Sequence, residues 1–172
     1  MRWVGDVPVG HYLRRAQRDD FEPLYALCCV EPVYRYLADG HVPPRAILER
    51  WFDDDELWVL CDDEDVLVGC VRLSALPDPA HVELTYLLHP DHWGRGLATR
   101  MSATVIEQVF TRPSITRIVA TADGPNGRSI AVMQRLGMRY AQMIDHPMGP
   151  GPEYHLARDD YRPDDVLLPV RV

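Results

Sequence analysis

One stretch, His81 to Ala98 (HVELTYLLHPDHWGRGLA), limits what this chain can fold into more than any other. Val82, Leu84, Tyr86 and Leu88 alternate with His81, Glu83, Thr85 and Leu87, which predicts a strand. The chain then turns at His89-Pro90-Asp91, and Gly94-Arg95-Gly96 lead into a helix. In that helix Leu97, Met101 and Val105 recur every four residues, with Ala98 and Val109 widening the stripe. A strand, a glycine-flanked turn and a helix N-terminus together make an anion site. The glycines let backbone come close, the first-turn N–H groups lack partners within the helix, and the dipole favours negative charge. Such a site suits a phosphate or a pyrophosphate.

Two common phosphate loops do not fit. A dinucleotide GxGxxG needs a third glycine where Thr99 stands, and a P-loop needs a lysine that the chain lacks altogether. The 172 residues suit a single domain, 1–172, with a full core, and 47% hydrophobic content is ordinary for one. No long apolar run, signal-peptide pattern or lipidation signature is present, so the expected location is cytoplasmic. A net charge of −8 argues against nucleic acid or an anionic membrane as partner and suits a cationic amine. The basic residues are all arginines, which points to a GC-rich bacterial genome and leaves no lysine for self-acetylation. Cys28, Cys29, Cys61 and Cys70 match no zinc spacing and read as buried apolar thiols, so no metal is expected.

Elsewhere the pattern alternates helices and strands. Residues 1–10 read as irregular and Tyr12–Ala16 as a strand. Asp19 or Asp20 can cap a helix through Leu24, Leu27 and Cys28, ended by Glu31-Pro32, with a short helical piece at Tyr34–Leu37. Pro43-Pro44 starts a helix that puts Ile47, Leu48, Trp51 and Phe52 on one face. Leu57–Cys61 and Val66–Leu73 read as a hairpin around Asp62-Asp63-Glu64-Asp65, an acidic turn best taken as solvated. Ile115–Thr121 is a strand apolar enough to be covered on both faces. Asn126 opens a helix ending near Gly137, and Met138–Ile144 and Glu153–Arg158 are strands joined by a loop from His146 to Pro152.

Trp93-Gly94-Arg95-Gly96-Leu97-Ala98 resembles the Q/R-x-x-G-x-G/A pyrophosphate loop of the GNAT N-acetyltransferases, with Trp93 in place of Gln or Arg. Asn126-x-x-Ser129 followed by Leu136-Gly137-Met138 is similar to that family's N-x-x-S…L-G-F segment, with Met138 for Phe. Trp-Gly-Arg-Gly after His-Pro-Asp-His looks most like the RimJ/RimL-type branch, and Tyr154–Tyr161 resembles the family's closing strand. The resemblance covers about residues 11–161. It implies a mixed α/β GNAT fold: a central twisted mixed sheet of six to seven strands flanked by about four helices, with a splayed central strand pair forming an acetyl-CoA cleft. It also implies acetyl transfer from acetyl-CoA to a primary amine, that of a protein N-terminus, a polyamine, an amino acid or an aminated small molecule.

On that resemblance Glu83 is the base, against a plain reading as a solvated carboxylate. Backbone N–H groups of Leu87 and Leu88, at a bulge in the family strand, meet the oxyanion and the pantetheine arm. Trp93, Gly94, Arg95, Gly96, Leu97, Ala98 and Thr99 form the pyrophosphate loop, and Asn126 and Ser129 meet the coenzyme arm or serve as plain helix caps. Met133 stands where many relatives carry a Tyr general acid, leaving Tyr86, Tyr140, His155 or solvent to serve the departing thiolate. A non-catalytic acyl-CoA sensor is the competing reading. The tail after Pro163 is left open between a homodimer contact and an unstructured end.

Overall fold

The computed structural model describes residues 10–37, 39–146, 148–163 and 167–172. The N-terminal residues 1–9, expected to be irregular, lie outside the described residues. In chain order the elements are β1 (His11–Arg15), α1 (Phe21–Cys28), α2 (Glu31–Tyr34), α3 (Arg45–Asp54), β2 (Glu56–Asp62), β3 (Leu67–Ala75) and β4 (His81–Leu88). They continue as α4 (Leu97–Phe110), β5 (Arg117–Thr121), α5 (Gly127–Arg135), β6 (Arg139–His146) and β7 (Gly149–Ala157). The strands form one seven-stranded sheet in the order β1-β2-β3-β4-β5-β7-β6. Every neighbouring pair is antiparallel except β4–β5, which is parallel. This is the mixed α/β architecture that the family resemblance implies.

Alternation along β4 decides how the layers pack. Leu84 and Leu88 point to one face, where they join Leu97, Met101, Val105 and Val109 of α4, Met133 of α5, and Ile118 and Leu156. Leu87 points to the other face, against a second core built from Leu24, Leu27, Leu48 and Trp51 of α1 and α3. The sheet is therefore covered by α4 and α5 on one side and by α1 and α3 on the other. Each fully buried Leu contributes about 1.5–3 kcal/mol by leaving water. Glu83, two residues before Thr85 and four before Leu87, shares the α1–α3 side with them.

The structure departs from the sequence reading at several places. α1 ends at Cys28, before Glu31-Pro32 as expected, but the next helix starts at Glu31 rather than at Tyr34, because proline is tolerated in a first helical turn. The His146–Pro152 loop is a hairpin: Gly149 to Pro152 already pair with β6. A Cβ on Gly151 would come within 2.0 Å of the Ala122 carbonyl oxygen, so glycine is what allows β7 to pass so close to the end of β5. Cys28, Cys61 and Cys70 are buried as expected, but Cys29 is exposed at the end of α1. The acidic turn is a structural one, in which Asp62 Oδ1 accepts from the N–H groups of Glu64 and Val66.

Residues 167–172 lie along their own chain. Leu13 N–H donates to the Pro169 carbonyl at 2.9 Å and Arg171 N–H to the Leu13 carbonyl at 2.8 Å, so Val170 pairs with β1 at the sheet edge. Leu168 is buried, and its N–H donates to Thr104 Oγ1 on α4 at 2.9 Å. Thr104 Oγ1 itself donates to the Arg100 carbonyl at 2.8 Å, so the same hydroxyl ties the tail to α4.

Candidate active site

Parallel pairing between β4 and β5 runs through His81↔Arg117, Val82↔Ile118 and Glu83↔Val119 and then stops. Beyond Glu83 the two strands diverge, leaving a V-shaped cleft with its apex at the Glu83/Val119 pair. No bulge produces this splay on the other side, where β4 pairs with β3 in unbroken register from Val82↔Ala75 to Leu88↔Gly69. His89 N–H donates to the Val68 carbonyl at 2.8 Å. Antiparallel alternation therefore commits Leu87 to the β3 ladder and turns the backbone of Leu88 toward the cleft. The Leu88 carbonyl accepts the Trp93 indole N–H at 2.8 Å, while its N–H faces the open side.

The glycine loop closes the wide end of the V. Gly94 and Gly96 have φ of +75° and +71°, a region where a side chain would be strained. Gly96 caps α4 and no side chain caps the helix there. The first backbone bond of the helix runs from Arg100 N–H to the Gly96 carbonyl, so the N–H groups of Leu97, Ala98 and Thr99 have no partner within it. Thr99 Oγ1 is buried and without a hydrogen-bond partner in the same turn. Unpaired donors, an orphaned hydroxyl and the Arg95 guanidinium at one helix start fit a phosphate-bearing ligand. Arg128 stacks over the Trp93 ring at 4.3 Å, which holds the loop against α5.

Across the cleft, Asn126 Oδ1 caps α5 by accepting the Ser129 N–H at 3.2 Å, leaving its amide group as a donor. Tyr86 reaches over from β4, its hydroxyl 2.8 Å from both the Ser129 carbonyl and Ser129 Oγ. Burial pushes the Tyr86 phenol up to about 12, against the opposing pull of Ser129. Such a group holds its proton and acts as a hydrogen-bond donor. Met133 is fully buried in the core and Tyr140 is exposed on β6, so neither offers a hydroxyl at the apex.

A cavity of about 520 Å³ opens at the apex on the α1–α3 side of the sheet. Glu83 lines it together with Asp78 and His81 before it, Val119 and Thr121 of β5, and Glu153 and His155 of β7. His155 Nε2 lies 2.7 Å from Glu153 Oε1. The arrangement brings together a splayed cleft with anion donors at its wide end and an acidic, imidazole-bearing cavity at its narrow end.

Other functional features have no local signal in the sequence. Glu153 enters the cavity because β7 pairs with β5. Asp123, buried just past β5, keeps Oδ1 without a hydrogen-bond partner. His11 Nε2 lies 3.1 Å from His92 Nδ1, tying β1 to the turn that precedes the glycine loop. Burial lowers the pKa of both imidazoles, helped by His92 in the case of His11 and by Arg95 in that of His92.

Residues 11–139 match the family model described as the acetyltransferase (GNAT) domain. The chain is 24% identical over 132 residues to an uncharacterised N-acetyltransferase, YnaD, of Bacillus subtilis strain 168, covering 74% of this chain and 78% of that one. Among solved structures, aminoglycoside acetyltransferase AAC(6')-Ib in complex with coenzyme A superposes with a TM-score of 0.75 at 18% identity, over 87% of this chain and 96% of the other. Spermidine N-acetyltransferase from Vibrio cholerae, in complex with CoA and spermine, gives 0.74 at 16% identity, over 88% and 97%. The glycine loop and the splayed strand pair lie within the matched segment, and with that match the chain belongs to the GNAT acetyltransferases, an enzyme family.

Proposed function

We propose that the protein transfers an acetyl group from acetyl-CoA to the primary amine of a small cationic molecule, a polyamine or an aminated sugar. The observation that carries this reading is the junction of two spaces at the Glu83/Val119 pair. There the cleft leading from the glycine loop meets the cavity lined by Asp78, Glu83 and Glu153. Gly94 to Thr99 would hold the pyrophosphate through backbone N–H groups, with the orphaned Thr99 hydroxyl and Arg95 beside them. Asn126 and Ser129 would border the arm of the coenzyme, and the Leu88 N–H would face the thioester oxygen, where it can stabilise developing negative charge. Bound acetyl-CoA supplies the activated acetyl group.

An alkylamine arrives as an ammonium ion and attacks only as the free base. Glu83 is the strand carboxylate at the apex, suited to receive and hold that ammonium group while it gives up its proton. The carboxylates of the cavity favour a polycation over a neutral amine. That preference supports the small-molecule amines named for AAC(6')-Ib in complex with ribostamycin and for the spermidine enzyme as models of the acceptor class. Within the family, the Trp93-Gly94-Arg95-Gly96 form supports the RimJ/RimL-type branch, whose protein N-terminal acceptors are the alternative substrate.

The test is amine-dependent release of CoA thiol from acetyl-CoA with spermine, ribostamycin and an Ala-initiated tripeptide as acceptors. Glu83→Gln should lose at least tenfold in kcat/KM and keep the calorimetric affinity for acetyl-CoA. Equal activity of the variant, or no amine-dependent release by the wild type, would contradict the reading; the latter result would favour a non-catalytic acyl-CoA sensor.

A further inference from the structure

We infer that His155, held by Glu153, is the proton acceptor for the attacking amine, and that Glu83 serves chiefly to anchor the ammonium group. The inference rests on the acetyl-transfer reading above and assigns its proton chemistry.

Register puts the two groups on one row. Glu83 pairs with Val119 on β5, and Val119 pairs with His155 on β7. Two strand spacings separate them, about 10 Å between backbones, and both side chains line the same cavity. An ammonium nitrogen over Val119, at the apex of the cleft, lies between the two.

The Glu153 carboxylate fixes the imidazole. An ionised carboxylate can accept a hydrogen bond and cannot donate one, so the 2.7 Å contact places the ring proton on His155 Nε2. Nδ1 then carries the free lone pair. Glu153 is itself steadied by Gln142 Nε2, which donates to the same oxygen at 3.0 Å. A base oriented by a carboxylate through its other ring nitrogen is the geometry that proton abstraction needs. Imidazole is also, as a class, a better general base near neutral pH than a carboxylate. The other charged groups facing His155 are Asp78, His81 and Glu83 from the β3–β4 side, Arg117 from β5, and Arg139 and His146 from β6. Arg139 is turned to Asp160 at 3.4 Å.

The proton balance closes without another reactant. The ammonium group gives one proton to His155 Nδ1, and the freed nitrogen lone pair forms the C–N bond. The C–S bond breaks with its electron pair on sulfur, and the second nitrogen proton goes to that sulfur, leaving an amide and a thiol. His155 then returns its proton to solvent.

The experiment is the pH dependence of kcat/KM for spermine, with wild type, His155→Gln and Glu153→Gln, and acetyl-CoA affinity measured by calorimetry on each. Wild type should rise with pH to a plateau through a single breakpoint. His155→Gln should lose about 100-fold or more, keep acetyl-CoA affinity, and move the breakpoint up to that of the free amine. Glu153→Gln should keep partial activity with a lower breakpoint, since removing a neighbouring negative charge weakens the imidazole as a base. If His155→Gln fails to fold, the shift in Glu153→Gln decides. A His155→Gln or Glu153→Gln profile superposable on wild type overturns the assignment and leaves the acetyl-transfer reading standing. Absence of amine-dependent turnover by wild type overturns both.

Discussion

The Trp93 indole donates to the Leu88 carbonyl at 2.8 Å, so the residue that opens the glycine loop is bonded to the last residue of the central strand. Family loops place Gln or Arg at the Trp93 position, and the structure gives the replacement a physical role: it fixes the loop's distance from the cleft. Trp93→Phe keeps a ring for Arg128 to stack on and removes the donor. The lost bond is worth about 1 kcal/mol, so acetyl-CoA affinity should weaken about fivefold with little change in kcat. Calorimetric titration of the variant checks this.

Gly94 and Gly96 are required by backbone conformation, since a Cβ at either would meet no heavy atom within 4 Å. Gly94→Ala and Gly96→Ala should therefore fold, each destabilised by about 1–2 kcal/mol through left-handed strain. The measurement is denaturant unfolding, which should show a lowered midpoint and an unchanged slope.

Arg14 forks onto Asp20 with two contacts of 2.7 Å, tying β1 to the start of α1. Burial pushes the Asp20 carboxyl up, but the Arg14 fork and the Gln17 N–H outweigh it and hold the pKa below its ordinary value. The unfolded chain therefore binds this proton first, and the contribution is complete above about pH 4 and lost as pH falls through the lowered value. Asp20→Asn should cost about 2 kcal/mol at pH 7 and much less at pH 2.5, read from urea unfolding at the two pH values.

The His11–His92 pair has the opposite charge chemistry and the same sign. Both imidazoles have lowered pKa values in the folded state, so the unfolded chain again takes up protons first. Stability should be full above about pH 6.5 and decline as pH drops through the lowered values. His92→Gln should flatten the fall in Tm between pH 7 and pH 5, measured by thermal scans across that range.

Much of the glycine loop and of the elements around it was legible because their signals are local. Alternation in β4, two glycines and the α4 stripe lie within 30 residues of one another, and Asn126 and Gly137 bound α5 by ordinary capping chemistry. The cavity beside Glu83 was not legible in the same way. Glu83, Glu153 and His155 share a cavity because β7 inserts between β5 and β6, a strand order that no periodicity encodes. The tail around Leu168 and Val170 was missed because a short, proline-bearing segment has no period of its own and acquires order from α4 and β1. The expected bulge at Leu87 and Leu88 failed for a simpler reason: β4 diverges from β5 by ending its pairing after Glu83, with its β3 register intact.

The most direct test of the account is calorimetric titration of acetyl-CoA and CoA into wild type and into the Gly94→Val/Gly96→Val double variant. Wild type should bind both ligands saturably in the micromolar range, and a folded double variant should bind neither. No binding to the wild type, or undiminished binding to the variant, would contradict the assignment of the cleft and of every residue role that depends on it.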